Sequence, residues 1–310
     1  MRYLPLLLLP LIACASSPQA EPVEAVAATA KTSGAEKEPP QLTSLPLSAH
    51  LLSDLDYVYI NLGKLAQNAN IAALLDEFFE SLDRTDPEDA LILRNTREAL
   101  VLVSVEEILS GPFGYQRSIS GDAPPADPIK RAVLHGAFAT LPPRTLFMNE
   151  LPITHQSPGA ILITHDGKLD ASGNAPRFER ALELRIKLTD AIREAFGDAP
   201  TTLQDLLRGG DELRIAIDVG DPLTFEARLT YANEATAEAA VESLSWQLRQ
   251  LEALIILLPE TLRSLFHSLI VRQSGAQLVV ELRVAESTFS SLGTLIEDLI
   301  YSIEAGSHTP

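Results

Sequence analysis

Cys14 is the only thiol in the chain, and it stands directly behind an apolar run from Leu4 to Ile12. A thiolate is the readily available strong nucleophile among side chains, so covalent chemistry is written most plainly at Cys14. The next candidates are six histidines. His155 and His165, with Glu150, Asp166 and Asp170 close by, have the residue types of a metal site. The expected topology argues against one. If 151–156 pairs with 160–165 across Ser157-Pro158, His165 faces the region of Glu150 and Leu151. His155 then lies roughly 14–17 Å away along the strand, whereas zinc ligands must approach one ion to about 2 Å. Asp166-Gly167 reads as a turn, and the DxDxDG spacing of a calcium loop is missing. His135 and His267 lie on or beside apolar segments and read as packing residues; His50 is at the edge of the folded body and His308 in the tail. The chain has no GxSxG elbow, P-loop, GxGxxG, HExxH or CxxC. No catalytic residue, metal or cofactor is assigned on these grounds, although an enzyme site can be dispersed in sequence.

The surroundings of Cys14 define its chemistry. Met1-Arg2 supplies a positive charge, and Leu6 to Leu9 are unbroken leucine between Pro5 and Pro10. A charged tip, a short apolar stretch and small residues form the layout of a secretory signal peptide. The run is too short to span a bilayer, which takes about 20 apolar residues. Ala13-Cys14-Ala15 would satisfy ordinary small-x-small cleavage. Leu11-Ile12-Ala13-Cys14, however, resembles a lipobox, the four-residue signal of bacterial lipoproteins. The resemblance implies a diacylglyceryl group on the Cys14 sulfur, cleavage before it, and acylation of the new N-terminus. Several chains would anchor the protein stably where one alone holds only marginally. Ala15-Ser16 lacks the Asp that retains lipoproteins at the inner membrane in the enterobacterial pattern, so the resemblance points to the outer membrane rather than the inner.

Composition fits export. With Cys14 consumed, the body has no disulfide to staple it. The formal charge of −18 repels phosphate backbones, so nucleic acid is excluded as a partner. Residues 1–13 are read as the signal and 14–45 as the lipidated Cys and tether. The tether is rich in Ala, Pro, Glu and Ser, with too little apolar surface to offset the entropy of ordering. As a coil of about 30 residues it spans roughly 30 Å.

The body divides on this reading into an N-terminal α+β module, 46–200, and a C-terminal module, 201–310. The second reads most clearly. Leu213, Ile215, Ile217 and Val219 alternate, Gly220-Asp221-Pro222 turns, and Leu223, Phe225, Ala227, Leu229 and Tyr231 alternate again, a hairpin with one buried face. Asn233 is placed as the N-cap of a helix with the stripe Ala237, Val241, Leu244, Leu248, Leu251 and Ile255. A short helix, a hairpin around Ser274-Gly275 and a last helix with Phe289, Leu292, Ile296, Leu299 and Ile303 follow, giving ββαββα. In the N-terminal module, Tyr57–Ile60 reads as a strand, Leu65–Leu82 as an amphipathic helix, Ala160–Leu169 as a hairpin around Asp166-Gly167, and Arg177–Phe196 as a long helix. The expected fold class is therefore α+β: antiparallel sheets covered on one face by long amphipathic helices, in repeated hairpin-helix units at 160–196, 212–258 and 269–303. Trp246 falls opposite the Leu244 and Leu248 stripe, with Ala239, Ala253 and Leu257 near it. This second apolar strip reads as packing against the N-terminal module or as an interaction surface.

A strand such as Leu55-Asp56-Tyr57-Val58-Tyr59-Ile60-Asn61-Leu62 before an amphipathic helix, and later hairpin-helix units like 213–251, resemble predicted cell-envelope lipoproteins of unknown function of the myxobacterial type. The resemblance implies no activity. Three functions are carried forward. The leading one is a membrane-tethered, non-catalytic interaction or accessory module contacting envelope proteins. The second is a carrier or sensor of an apolar ligand such as a lipid, and the third a hydrolase with a dispersed site.

Overall fold

The computed structural model describes residues 47–51, 55–106, 129–147, 151–164, 178–197, 201–255, 260–285 and 288. The strands are β1 (Asp56–Asn61), β2 (Thr96–Val103), β3 (Ile129–Gly136), β4 (Leu146–Phe147), β5 (Leu151–Gln156), β6 (Ala160–Thr164), β7 (Leu182–Lys187), β8 (Gly210–Asp218), β9 (Leu223–Tyr231), β10 (Leu269–Ser274) and β11 (Gln277–Val284). They form one 11-stranded sheet in the order β10-β11-β9-β8-β7-β1-β2-β3-β6-β5-β4, and every pairing is antiparallel. The helices are α1 (Leu62–Leu65), α2 (Ala69–Thr85), α3 (Pro87–Asn95), α4 (Asp190–Ala195), α5 (Thr201–Gly209), α6 (Glu234–Ile255) and α7 (Glu260–Ser268), with a 3-10 turn at Leu47–His50.

Strand parity sorts the core into two faces. One face carries Val58 and Ile60, then Val101 and Val103, Leu134, and Ile161 and Ile163, and the helices cover it. The same face continues through Leu229, Tyr231 and Leu278 under α6. The opposite face of β1, β2, β3 and β6 is also buried. There Tyr57, Tyr59, Leu100, Leu102, Val133 and Leu162 meet Leu47 and Phe178. The Phe178 ring stacks on Tyr59 with centroids 4.1 Å apart. These central strands are apolar on both sides, so their sequences run nearly without alternation. From β7 outward the alternation is clean, and among the described residues no helix covers the second face.

Three expectations fail. The fold is one continuous sheet, with no repeated ββα pattern. Cover on one face alone fails at β1, β2, β3 and β6, which are buried on both faces. The long helix over 177–196 is a strand followed by the short α4. The reason is legible afterwards: Leu182, Leu184, Ile186 and Leu188 alternate with Glu183, Arg185 and Lys187, a period of 2. The good helix propensity of that stretch yields to two open sheet edges, since β7 pairs with both β1 and β8 and tertiary pairing overrides propensity. Of the hairpin expected at 160–169, β6 is the described half, paired with β3 and β5; residues 165–169 lie outside the described residues. The pairing of 151–156 with 160–164 does occur.

Local chemistry sets the helix boundaries next to the site. Asn68 caps α2 by accepting from the Asn70 and Ile71 amides. Asp86 ends α2 and begins α3, where its side chain accepts from the Asp89 amide and Pro87 takes the first turn. A proline there loses no helical hydrogen bond. The two helices therefore meet in a tight corner.

Candidate functional site: a cleft beneath α2 and α3

α2 is an amphipathic helix that does not bury its apolar side. Of its residues only Leu75 is fully buried, while Ile71, Ala72, Phe78, Phe79 and Leu82 remain half-buried. Between this helix, α1, the end of α3 and the ends of β2 and β3 lies a cleft of about 760 Å³. Leu62 and Ala66, Ala72, Leu75 and Phe79, and Leu93 make its apolar wall. Its polar end is built by Arg94 to Glu98, His135 and Asp76, with Gly63, Gly136 and Gly159 as bare backbone. Ligand sites of this kind measure roughly 300–1,000 Å³, mostly apolar with a few converging polar groups.

Two features shape the polar end. β2 pairs Thr96 with Gly136 and then Glu98 with His135, so Arg97 is the extra residue of a β-bulge. Bulges re-aim a side chain and recur beside functional sites. Arg97 is displayed on the cleft wall over α1, where its Cγ would lie 3.6 Å from a Cβ placed on Gly63. Among the described residues no ion pair or hydrogen bond holds its guanidinium. Gly136 is the second feature. A Cβ there would lie 2.0 Å from the Asn95 carbonyl oxygen, and the Ala137 amide donates to that same oxygen at 2.9 Å. Only glycine lets β3 close onto the end of α3.

The neighbouring polar groups are occupied. Arg94 pairs with Asp83 at 2.5 Å and lies over the Phe79 ring. Asn61 donates to Glu98 at 2.9 Å and caps α1 by accepting from the Lys64 amide. Burial raises the Tyr59 hydroxyl above its ordinary pKa, with the Glu98 and Glu183 charges adding to the effect and the Asn61 hydrogen bond opposing it. On the second face of β3, His50 is fully buried with neither ring nitrogen hydrogen-bonded. Burial first, then the positive charges of His135 and Arg131, lower its pKa to about 4.

A second concentration of charge lies on the other sheet face from β7 outward. Arg185, Arg214 and Arg228 are direct cross-strand neighbours, and Arg272 continues the row beyond Val279. Glu212 bonds Arg185 and Arg214, each at 2.6 Å. Glu226 bonds Arg228 at 2.7 Å, Glu281 bonds Arg283 at 2.6 Å, and Tyr57 donates to Glu183. Burial pushes the Glu212 carboxyl up, but the Arg214 and Arg185 hydrogen bonds outweigh it and hold it low. The Arg228 hydrogen bond does the same for Glu226. The lattice is neutralised within itself. It keeps this sheet face wetted and averse to sticking, and desolvating it against a partner would be costly.

Of the residues singled out by sequence, Trp246 stands on the outer side of α6, 59% exposed among the described residues. Cys14, Leu257 and His165 lie outside the described residues. Among the described residues no three His, Cys, Asp or Glu side chains gather as metal ligands. The cleft itself had no sequence signature: Thr96-Arg97-Glu98 reads as an ordinary strand start, and a bulge depends on the partner strand. No family model, curated protein or solved structure matches the chain.

Proposed function

We propose that this chain is a membrane-tethered envelope lipoprotein that works by binding, without catalysis, and that the bound species is a small apolar ligand held in the cleft. The Leu11-Ile12-Ala13-Cys14 pattern supports the anchor. One observation carries the binding reading: an amphipathic helix whose apolar side is left half-buried over an open cleft of about 760 Å³. Half-buried Ala72 and Phe79 line the cleft and still show apolar area to water, at roughly 25 cal/mol for each Å² that a ligand would cover. A carrier or sensor of a lipid-like molecule thus moves ahead of a pure protein-contact module. The Trp246 ring, 59% exposed, supports protein contact as the second reading, since an aromatic anchor is the usual centre of such a surface.

Native mass spectrometry of the full chain purified from envelope membranes tests both parts in one spectrum. The expected result is a mature mass beginning at Cys14 with an acyl adduct, plus a stoichiometric apolar mass removed by organic extraction. A chain that stays free of ligand after incubation with envelope lipids would overturn the carrier reading and leave the Trp246 surface.

A further inference from the structure

We propose that the cleft selects a single-chain amphiphile with a monoanionic head group, the tail lying along α2 and the head paired with Arg97; this rests on the reading of the cleft as a ligand site.

The argument begins with the bulge. A regular ladder would fix residue 97 opposite a β3 residue. Instead β3 steps from Gly136 directly to His135 while β2 advances two residues, and the extra one is a guanidinium without a carboxylate among the described residues. This contrasts with four of the sheet's other arginines. Arg185, Arg214, Arg228 and Arg283 each hold a carboxylate within 2.7 Å. In a chain of formal charge −18, an unpaired arginine at the polar end of an apolar cleft is a local reversal of sign. A carboxylate there would gain a charge-assisted, two-pronged hydrogen bond.

The surroundings set the charge of the head. Glu98 follows Arg97 in sequence and keeps its carboxylate on Asn61, and Asp76 lines the cleft from α2. Two nearby carboxylates repel a doubly charged phosphate but are tolerable to one negative charge already paired with Arg97. The opposite wall of Leu62, Leu75, Phe79 and Leu93 offers no hydrogen bond to a polar body, which fits an alkyl tail. Free fatty acids and single-chain phosphodiesters share this chemistry.

The test is calorimetric titration of the full chain carrying Cys14→Ser, so that no anchor lipid competes. The probes are dodecanoate, methyl dodecyl phosphate, dodecanol and dodecyltrimethylammonium, each below its micelle concentration or, for dodecanol, its solubility limit. Dodecanoate is expected to bind one to one, about tenfold tighter than dodecanol. Arg97→Gln should remove that tenfold preference and leave dodecanol affinity unchanged, and Arg97→Lys should restore part of it. Arg97 is exposed and outside the core, so these variants should melt like the parent. Methyl dodecyl phosphate binding as tightly as dodecanoate would assign the site to a phosphodiester source; dodecanoate alone would assign it to a free acid. Equal affinity for dodecanoate and dodecanol, an unchanged Arg97→Gln, or preference for the trimethylammonium probe would overturn the anionic head while leaving an apolar site. Failure of every probe would overturn the cleft reading too.

Discussion

His50 shows how a single residue can set the acid limit of this fold. A neutral imidazole keeps one N–H, and with neither nitrogen partnered that donor is buried at a cost of about 1–3 kcal/mol. Its pKa is about 4 when folded against 6.5 ordinarily. Between those values the unfolded chain holds a proton that the folded chain does not. Stability is therefore full above the ordinary value, declines as pH falls through the window, and is flat again below the folded value. The contribution is on the order of 3 kcal/mol. Urea unfolding of His50→Leu should show the loss between about pH 7 and pH 4 reduced by about 3 kcal/mol, with stability at neutral pH equal or higher. An undiminished loss would place the acid sensitivity elsewhere. None of this was visible in the sequence, where His50 stood at the edge of the folded body; the 3-10 turn that carries it packs on β2 and β3, far along the chain.

At the scale of elements, the cleft depends on how α3 ends. Gly136 against the Asn95 carbonyl is a backbone contact with no flexible neighbour to yield. Gly136→Ala should destabilise by about 3 kcal/mol or more in denaturant unfolding. Gly63→Ala, whose Cβ would find ordinary spacing of 3.4 Å from the Asn61 side chain, should change stability by less than about 0.5 kcal/mol. Equal effects would mean that β3 and α3 do not close as described. Elements with one unambiguous period were legible. The hairpin of β8 and β9 turns where Gly220-Asp221-Pro222 predicts, Leu213, Ile215 and Ile217 share the helix-covered face, and α6 begins where Asn233 accepts from the Thr236 amide at 2.9 Å. β7 was misread because Leu182 and Ile186 satisfy a helical spacing as well as a strand one. Only the two waiting edges decide between them, and those belong to β1 and β8.

Over the whole molecule, eleven strands at about 4.8 Å spacing make a sheet roughly 50 Å wide, too broad for one core, and the apolar side chains accordingly fall into four clusters. The join at the middle is covalently remote but tightly bonded. Asp56 at the start of β1 accepts from the Lys187 amide at 2.7 Å and from the Val105 amide at 3.2 Å, tying β7 and the chain after β2 to one carboxylate. The boundary drawn between 200 and 201 falls between β7 and β8, which are bonded neighbours. Charge and composition could announce an acidic body, but not which sheet face the helices cover, because the helices that choose a face are placed by contacts far apart in sequence. The central claim is that the molecule works by holding a ligand beneath α2. Hydrogen–deuterium exchange of the full chain with and without saturating dodecanoate tests it most directly. The account predicts slowed exchange across Leu62–Thr85 and at Asn95–Glu98, with α6 and β10 unchanged; protection centred on Trp246, or none at all, would contradict it.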